Sequence, residues 1–111
     1  MKQYKVQITG KALCDMEEIY NYISRQLQAP EAAMVQYNRI ADAIETLNTF
    51  PERIKLIHSE ELCALGLRQM LVDNFSVFFH IRKDRVIITN VLYSASDISK
   101  RLHDSFLDKG D

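Results

Sequence analysis

At 111 residues, 47% of them apolar and 26% charged, the chain is long enough for one domain with a real core and too short for two. Fourteen basic residues face fifteen acidic ones, leaving a net charge of −1. That balance argues against holding nucleic acid by blanket phosphate neutralisation, while leaving a local patch open. The first ten residues, MKQYKVQITG, hold no apolar leader core, and no apolar run approaches the roughly 18 residues of a membrane helix. Cys14 and Cys63 stand far apart, without metal or redox spacing. The expectation is one cytoplasmic domain over residues 1–111, without metal, cofactor or membrane contact.

Residues 4–9 (YKVQIT) alternate, with Tyr4, Val6 and Ile8 on one side, which predicts a half-buried strand. Gly10 breaks it. From Ala12 a helical stripe follows: Leu13, Met16, Ile19, Tyr20, Ile23 and Leu27, opposite Asp15, Glu18 and Arg25. Pro30 stops that helix and suits the first turn of the next, whose stripe is Ala33, Tyr37, Ile40, Ala41, Ile44 and Leu47. The short connection predicts an antiparallel helical hairpin.

Residues 54–65 (IKLIHSEELCAL) carry no clear period and include loop. After Gly66 the period becomes two. GLRQMLV and FSVFFHIR flank Asp73-Asn74, and Lys83-Asp84 leads into RVIITNVLY, so two tight turns define an antiparallel meander. Residues 97–107 read as a last helix capped by Ser94 or Ser96. The fold class is α/β (α+β): N-terminal strand, two-helix hairpin, three-stranded meander, C-terminal helix.

Counting from the turns sorts the meander into faces. Arg68, Met70, Val72, Phe75, Val77, Phe79, Ile81, Val86, Ile88, Asn90 and Leu92 should face the helices. Leu67, Gln69, Leu71, Ser76, Phe78, His80, Ile87, Thr89, Val91 and Tyr93 should form a mixed outer face, half-exposed or turned to a partner.

The stretch GLRQMLVDNFSVFFHIRKDRVIITNVLYSASD resembles the C-terminal half of the RelE/ParE superfamily, the toxins of type II toxin–antitoxin pairs. Leu67-Arg68, Val72-Asp73-Asn74-Phe75, Val77-Phe78-Phe79, Val91-Leu92-Tyr93 and Asp97 follow the family pattern in order and spacing. Element order and Pro51 extend the likeness over residues 4–102. The resemblance is nearer the ParE-like branch, the plasmid-stabilisation proteins. It implies a growth-inhibiting toxin neutralised by a cognate antitoxin, with DNA gyrase as the first target and no direct DNA binding by the toxin alone. The RelE-like branch implies the alternative, ribosome-dependent cleavage of mRNA. A third reading is a non-toxic member acting as a binding or regulatory module.

Cleaving RNA through its 2′-hydroxyl requires a base, an acid for the leaving 5′ oxygen and positive charge at phosphate. Aligned on the first turn, the basic positions of the RelE-like branch fall on Leu67, Gln69, Ser76 and Ser96, none of them a cation. His80 and Tyr93 remain as weak candidates for chemistry, with a solvated strand histidine and a packing tyrosine the favoured roles. His58 and His103 read as surface residues. Arg68 is a target-contact candidate or a structural arginine tied to a carboxylate or to carbonyls. Asp97 suits the first turn of the last helix, where the dipole favours negative charge. Where relatives read Gly-Arg-Arg-Asp, this chain has Ser94-Ala95-Ser96-Asp97, so the corner survives without its arginines. A cluster of positive charge on the outer face would favour the RNA-cleaving reading.

Overall fold

A computed structural model describes residues 2–95, 98, 101 and 102. Strand β1 (Lys5–Ile8) leads through Thr9 into helix α1 (Gly10–Asn21). The Thr9 hydroxyl caps that helix, accepting from the Ala12 amide at 3.1 Å, so Gly10 opens the helix directly after the strand. The helix then widens into a single π turn, Tyr22–Gln26. Gln28, in left-handed backbone, reverses the chain into α2 (Pro30–Glu45), with Pro30 in its first turn. Two 3₁₀ turns, Thr46–Asn48 and Pro51–Arg53, precede a short helix α3 (Glu60–Ala64), capped by Ser59 inside the segment whose sequence has no clear period. The meander is β2 (Arg68–Val72), β3 (Phe75–Arg82) and β4 (Arg85–Tyr93). Its turn residues Asp73 and Lys83 both adopt positive φ.

The sheet order is β1-β4-β3-β2, with β1 parallel to β4 and the other pairs antiparallel. Both hairpin registers follow from their two-residue turns, Val72 pairing Phe75 and Arg82 pairing Arg85. On the helix side, Met70, Val72, Val77, Phe79, Val86 and Ile88 pack against Ala12, Met16, Ile40, Ile44 and Leu47. Fully burying each such large aliphatic or aromatic side chain contributes about 1.5–3 kcal/mol.

The predicted faces hold up to Ile88 and then invert. Phe78 pairs with Asn90 but Phe79 pairs with Ile88, so Thr89 is an extra residue in β4, a bulge. One inserted residue exchanges the faces of everything beyond it. Val91 therefore joins the helix-side core, while Leu92 packs outside with Leu62, Leu67, Phe78 and Leu102 in a second cluster. Asn90 is also carried to the outer side with its partner Phe78, buried, and its Oδ1 has no hydrogen-bond partner among the described residues.

Asp15, expected on the solvent side of α1, is only 2% exposed, while Leu13, expected inside, is 43% exposed. The cause is the sheet edge. Beyond Ile8 there is no more β1 to pair with β4, and the Val91 amide would be orphaned under α1. Asp15 Oδ2 accepts that amide at 3.0 Å and Oδ1 takes an ion pair from Lys11. Burial of a carboxylate is tolerable because it is paired and hydrogen-bonded.

Candidate functional site: an apolar groove and a divided outer face

The two helices cover only part of the inner sheet face. Between α1 and its π turn, the start of α2 and the end of β4 lies a cleft of about 760 Å³. Its floor is Phe75 and Tyr93, register partners whose ring centroids are 5.7 Å apart. Ile19, Tyr22, Ile23 and Leu27 form one wall, and Ala32 and Gln36 the other, with Glu18, Asn74 and Arg101 at the margins. The π turn closes on a Leu27 amide donating to the Tyr22 carbonyl at 3.2 Å. This wider turn shifts every side chain after it relative to a regular helix, so Leu27 leaves the core stripe and joins the groove. Tyr22, Leu27 and Tyr93 stand 57%, 56% and 50% exposed. Aromatic and aliphatic side chains clustered in a concavity are the composition of a protein-docking site.

The far wall is fixed electrostatically. Arg39 grips Asp73 with two parallel bonds, Nε–Oδ2 at 2.7 Å and Nη2–Oδ1 at 2.8 Å, and Gln36 adds a third at 3.1 Å. This fork ties α2 to the β2–β3 turn and so sets the groove width. It also holds the Asp73 carboxyl below its ordinary range, chiefly through the Arg39 hydrogen bond and then that of Gln36.

The outer face is divided. At the β2–β3 end, Gln69 Nε2 donates to Ser76 Oγ at 3.0 Å, and Ser76 shares a 2.9 Å bond with Ser94 Oγ. Leu67 lies buried beside them in the second cluster. Leu67, Gln69 and Ser76 are the positions aligned with cations of the RNA-cleaving branch; here all three are neutral, and Gln69 and Ser76 bond to each other. Ser94 spends its hydroxyl on Ser76, and its amide donates to the Asn74 carbonyl at 2.8 Å. Further along, half-buried His80 pairs with Ile87; burial first and the nearby Arg82 charge second lower its pKa from the ordinary histidine value.

The residues singled out from sequence are not brought together. His80 lies on the outer face, but the Thr89 bulge moves Tyr93 to the helix side, so the two candidates for chemistry are on opposite sides of the sheet. Arg68 donates from Nη1 to the carbonyls of Ile54 at 2.6 Å and Glu52 at 3.4 Å, pinning the loop before α3. Glu52 is held in turn by the Tyr4 hydroxyl at 2.5 Å. Its pKa is lowered first by that hydrogen bond, with smaller help from Arg68 and Lys2. Ser96, Asp97 and His103 lie outside the described residues. Sequence reasoning missed Asp15, Tyr22 and the groove. Tyr22 follows Asp15 and Glu18 at helical spacing, on the stripe read as the solvent side, and a π turn has no plain sequence mark. Among the described residues no group of three His, Cys, Asp or Glu could hold a metal, and no helix is long and apolar enough to cross a membrane.

The arrangement defines a small α+β protein whose helical hairpin and four-stranded sheet frame an apolar groove. The profile of the ParE toxin of type II toxin–antitoxin systems matches residues 6–98, and the chain belongs to that family. In structure it is similar to a chain of the chromosomal ParDE toxin–antitoxin system of P. aeruginosa, with TM-score 0.70 and 22% identity, covering 82% of this chain and 96% of that one. It is also similar to a chain of the RelBE2 toxin–antitoxin complex of Mycobacterium tuberculosis, with TM-score 0.58 and 17% identity, covering 82% and 98%. No curated protein sequence matches at a significant level.

Proposed function

We propose that this toxin stops growth in the cytoplasm by binding an essential target, DNA gyrase first, and is silenced by a cognate antitoxin seated in the groove. The observation that carries a binding mode of action is the Gln69–Ser76 pair: where RNA cleavage would need charge at phosphate, two neutral side chains bond to each other, and Ser94 joins them. The groove supports the antitoxin, since Tyr22, Leu27 and Tyr93 offer the aromatic and aliphatic anchors that a partner segment buries.

A second reading has its own observation. His80 stands beside Arg82 on the outer face, and Lys5 and Arg85 share that side of the sheet. Positive charge there is the feature expected of an RNA-cleaving relative, with His80 as base.

Induced expression without an antitoxin, followed by pulse labelling, tests both. Early loss of DNA synthesis, together with loss of supercoiling by purified gyrase, is the expected result. Early loss of protein synthesis, abolished by His80→Ala, would replace the gyrase reading with RNA cleavage. Undiminished growth would leave a binding module without toxicity.

A further inference from the structure

The end of the outer face beyond the second cluster carries a row of cations. Lys5 on β1, Arg85 on β4 and Arg82 on β3 are register partners across three adjacent strands, and all are exposed. Partnered residues point to the same side of a sheet. With strands about 4.8 Å apart, the three positions span roughly 10 Å. Lys83 extends the row at the hairpin tip, where Asp84 is the one carboxylate of the turn. The ion pairs among the described residues are Lys11–Asp15 and Arg39–Asp73, and neither touches the row. Arg85 Nη1 reaches Gln7 Oε1 at 3.5 Å, a neutral partner. Like charges directly opposite one another destabilise a sheet, so the row costs the fold some stability. Arg82, Lys83, Asp84, Arg85 and Ile87 also line a surface concavity of about 620 Å³.

We propose that this row docks the phosphate backbone of a nucleic-acid duplex, with Lys5, Arg82 and Arg85 each facing a phosphate. Three features select that occupant. The cations follow one line across three adjacent strands, which fits the charged edge of a rod carrying one phosphate per about 1.7 Å of axis. The strand positions concerned, Lys5, Gln7, His80, Arg82, Arg85 and Ile87, include no Phe, Tyr or Trp, the platforms that single strands require. An acidic protein segment would want apolar anchors at the centre of the patch, and Ile87 is the one aliphatic residue among these positions. The contact is short-ranged, because a net charge of −1 supplies no steering field. It revises the expectation of no direct DNA binding, and it goes beyond the gyrase reading without depending on it.

The test is fluorescence anisotropy of a labelled DNA duplex with the full-length chain, between about 20 and 200 mM salt. Wild type should bind with a logarithmic salt slope of about −3, one unit per neutralised phosphate. Arg82→Gln with Arg85→Gln should flatten that slope by about 2 and weaken binding by about tenfold or more at low salt. Arg25→Gln with Lys55→Gln removes the same net charge elsewhere and should leave binding within about twofold. Thermal melting of each variant guards the comparison, and Lys5→Gln, on the other side of the row, serves if the double variant melts early. Equal loss in both double variants overturns the proposal. So does preference for single-stranded DNA, or equal competition by polyglutamate of matched charge, which would transfer the row to an acidic protein.

Discussion

The two sides of the sheet are built by the same three long strands and are opposites in construction. The helix side is continuous core from Tyr4 to Val91. The outer side holds a small cluster around Phe78, a neutral hydrogen-bond chain and an exposed row of cations. The inner side sets the fold and leaves a groove only where the helices part. The outer side is neutral at the β2–β3 end and carries its exposed cations at the β3–β4 tip. Adjacent Phe78 and Phe79 divide between these worlds, each fully buried.

The largest effect should separate those two rings. Phe79→Ala empties the main core and should cost about 3–5 kcal/mol by denaturant unfolding. Phe78→Ala should cost less, because the second cluster is small and can collapse around the loss. Equal costs would show that the two sides melt as one body. Tyr22→Ala with Tyr93→Ala should weaken antitoxin binding by about tenfold to a hundredfold in calorimetry, while melting moves little. A matched change on the outer face, Arg82→Gln, should leave antitoxin affinity unaltered.

Asp15→Ala strands the Val91 amide and should cost about 1–3 kcal/mol, with faster hydrogen exchange at Val91. Asp15→Asn keeps an acceptor and should recover part of that loss. The smallest effects are in pH. The folded pKa of His80 lies below the unfolded value near 6.5, so its contribution is present above that value and fades as pH falls through it. His80→Gln should flatten stability in that window. Asp73 and Glu52, both lowered, lose their contributions below about pH 4, and Arg39→Ala should remove the Asp73 part.

Much of this was legible. Alternation in YKVQIT, the stripe from Ala33 to Leu47 and the turn pairs Asp73-Asn74 and Lys83-Asp84 carry the element order, because period and turn chemistry are local. The resemblance added the family. The placement of Tyr93 was not legible, since one bulge at Thr89 reverses a face and any residue can occupy it. Nor was the burial of Asp15. Its role is to end a ladder whose other strand stops at Ile8, and parallel pairing between the first and last strands leaves no local pattern.

That parallel pairing also puts a clock in the molecule. Ile8 and Ile88 are register partners, yet the ribosome makes one long before the other. At roughly 5–20 residues per second the first strand waits about 4–16 s for the strand that completes its sheet. Both the groove floor at Tyr93 and the Lys5–Arg85 pairing of the basic row need that last strand. A partly made chain therefore presents neither surface, and an antitoxin already present would meet the toxin at the moment both first exist.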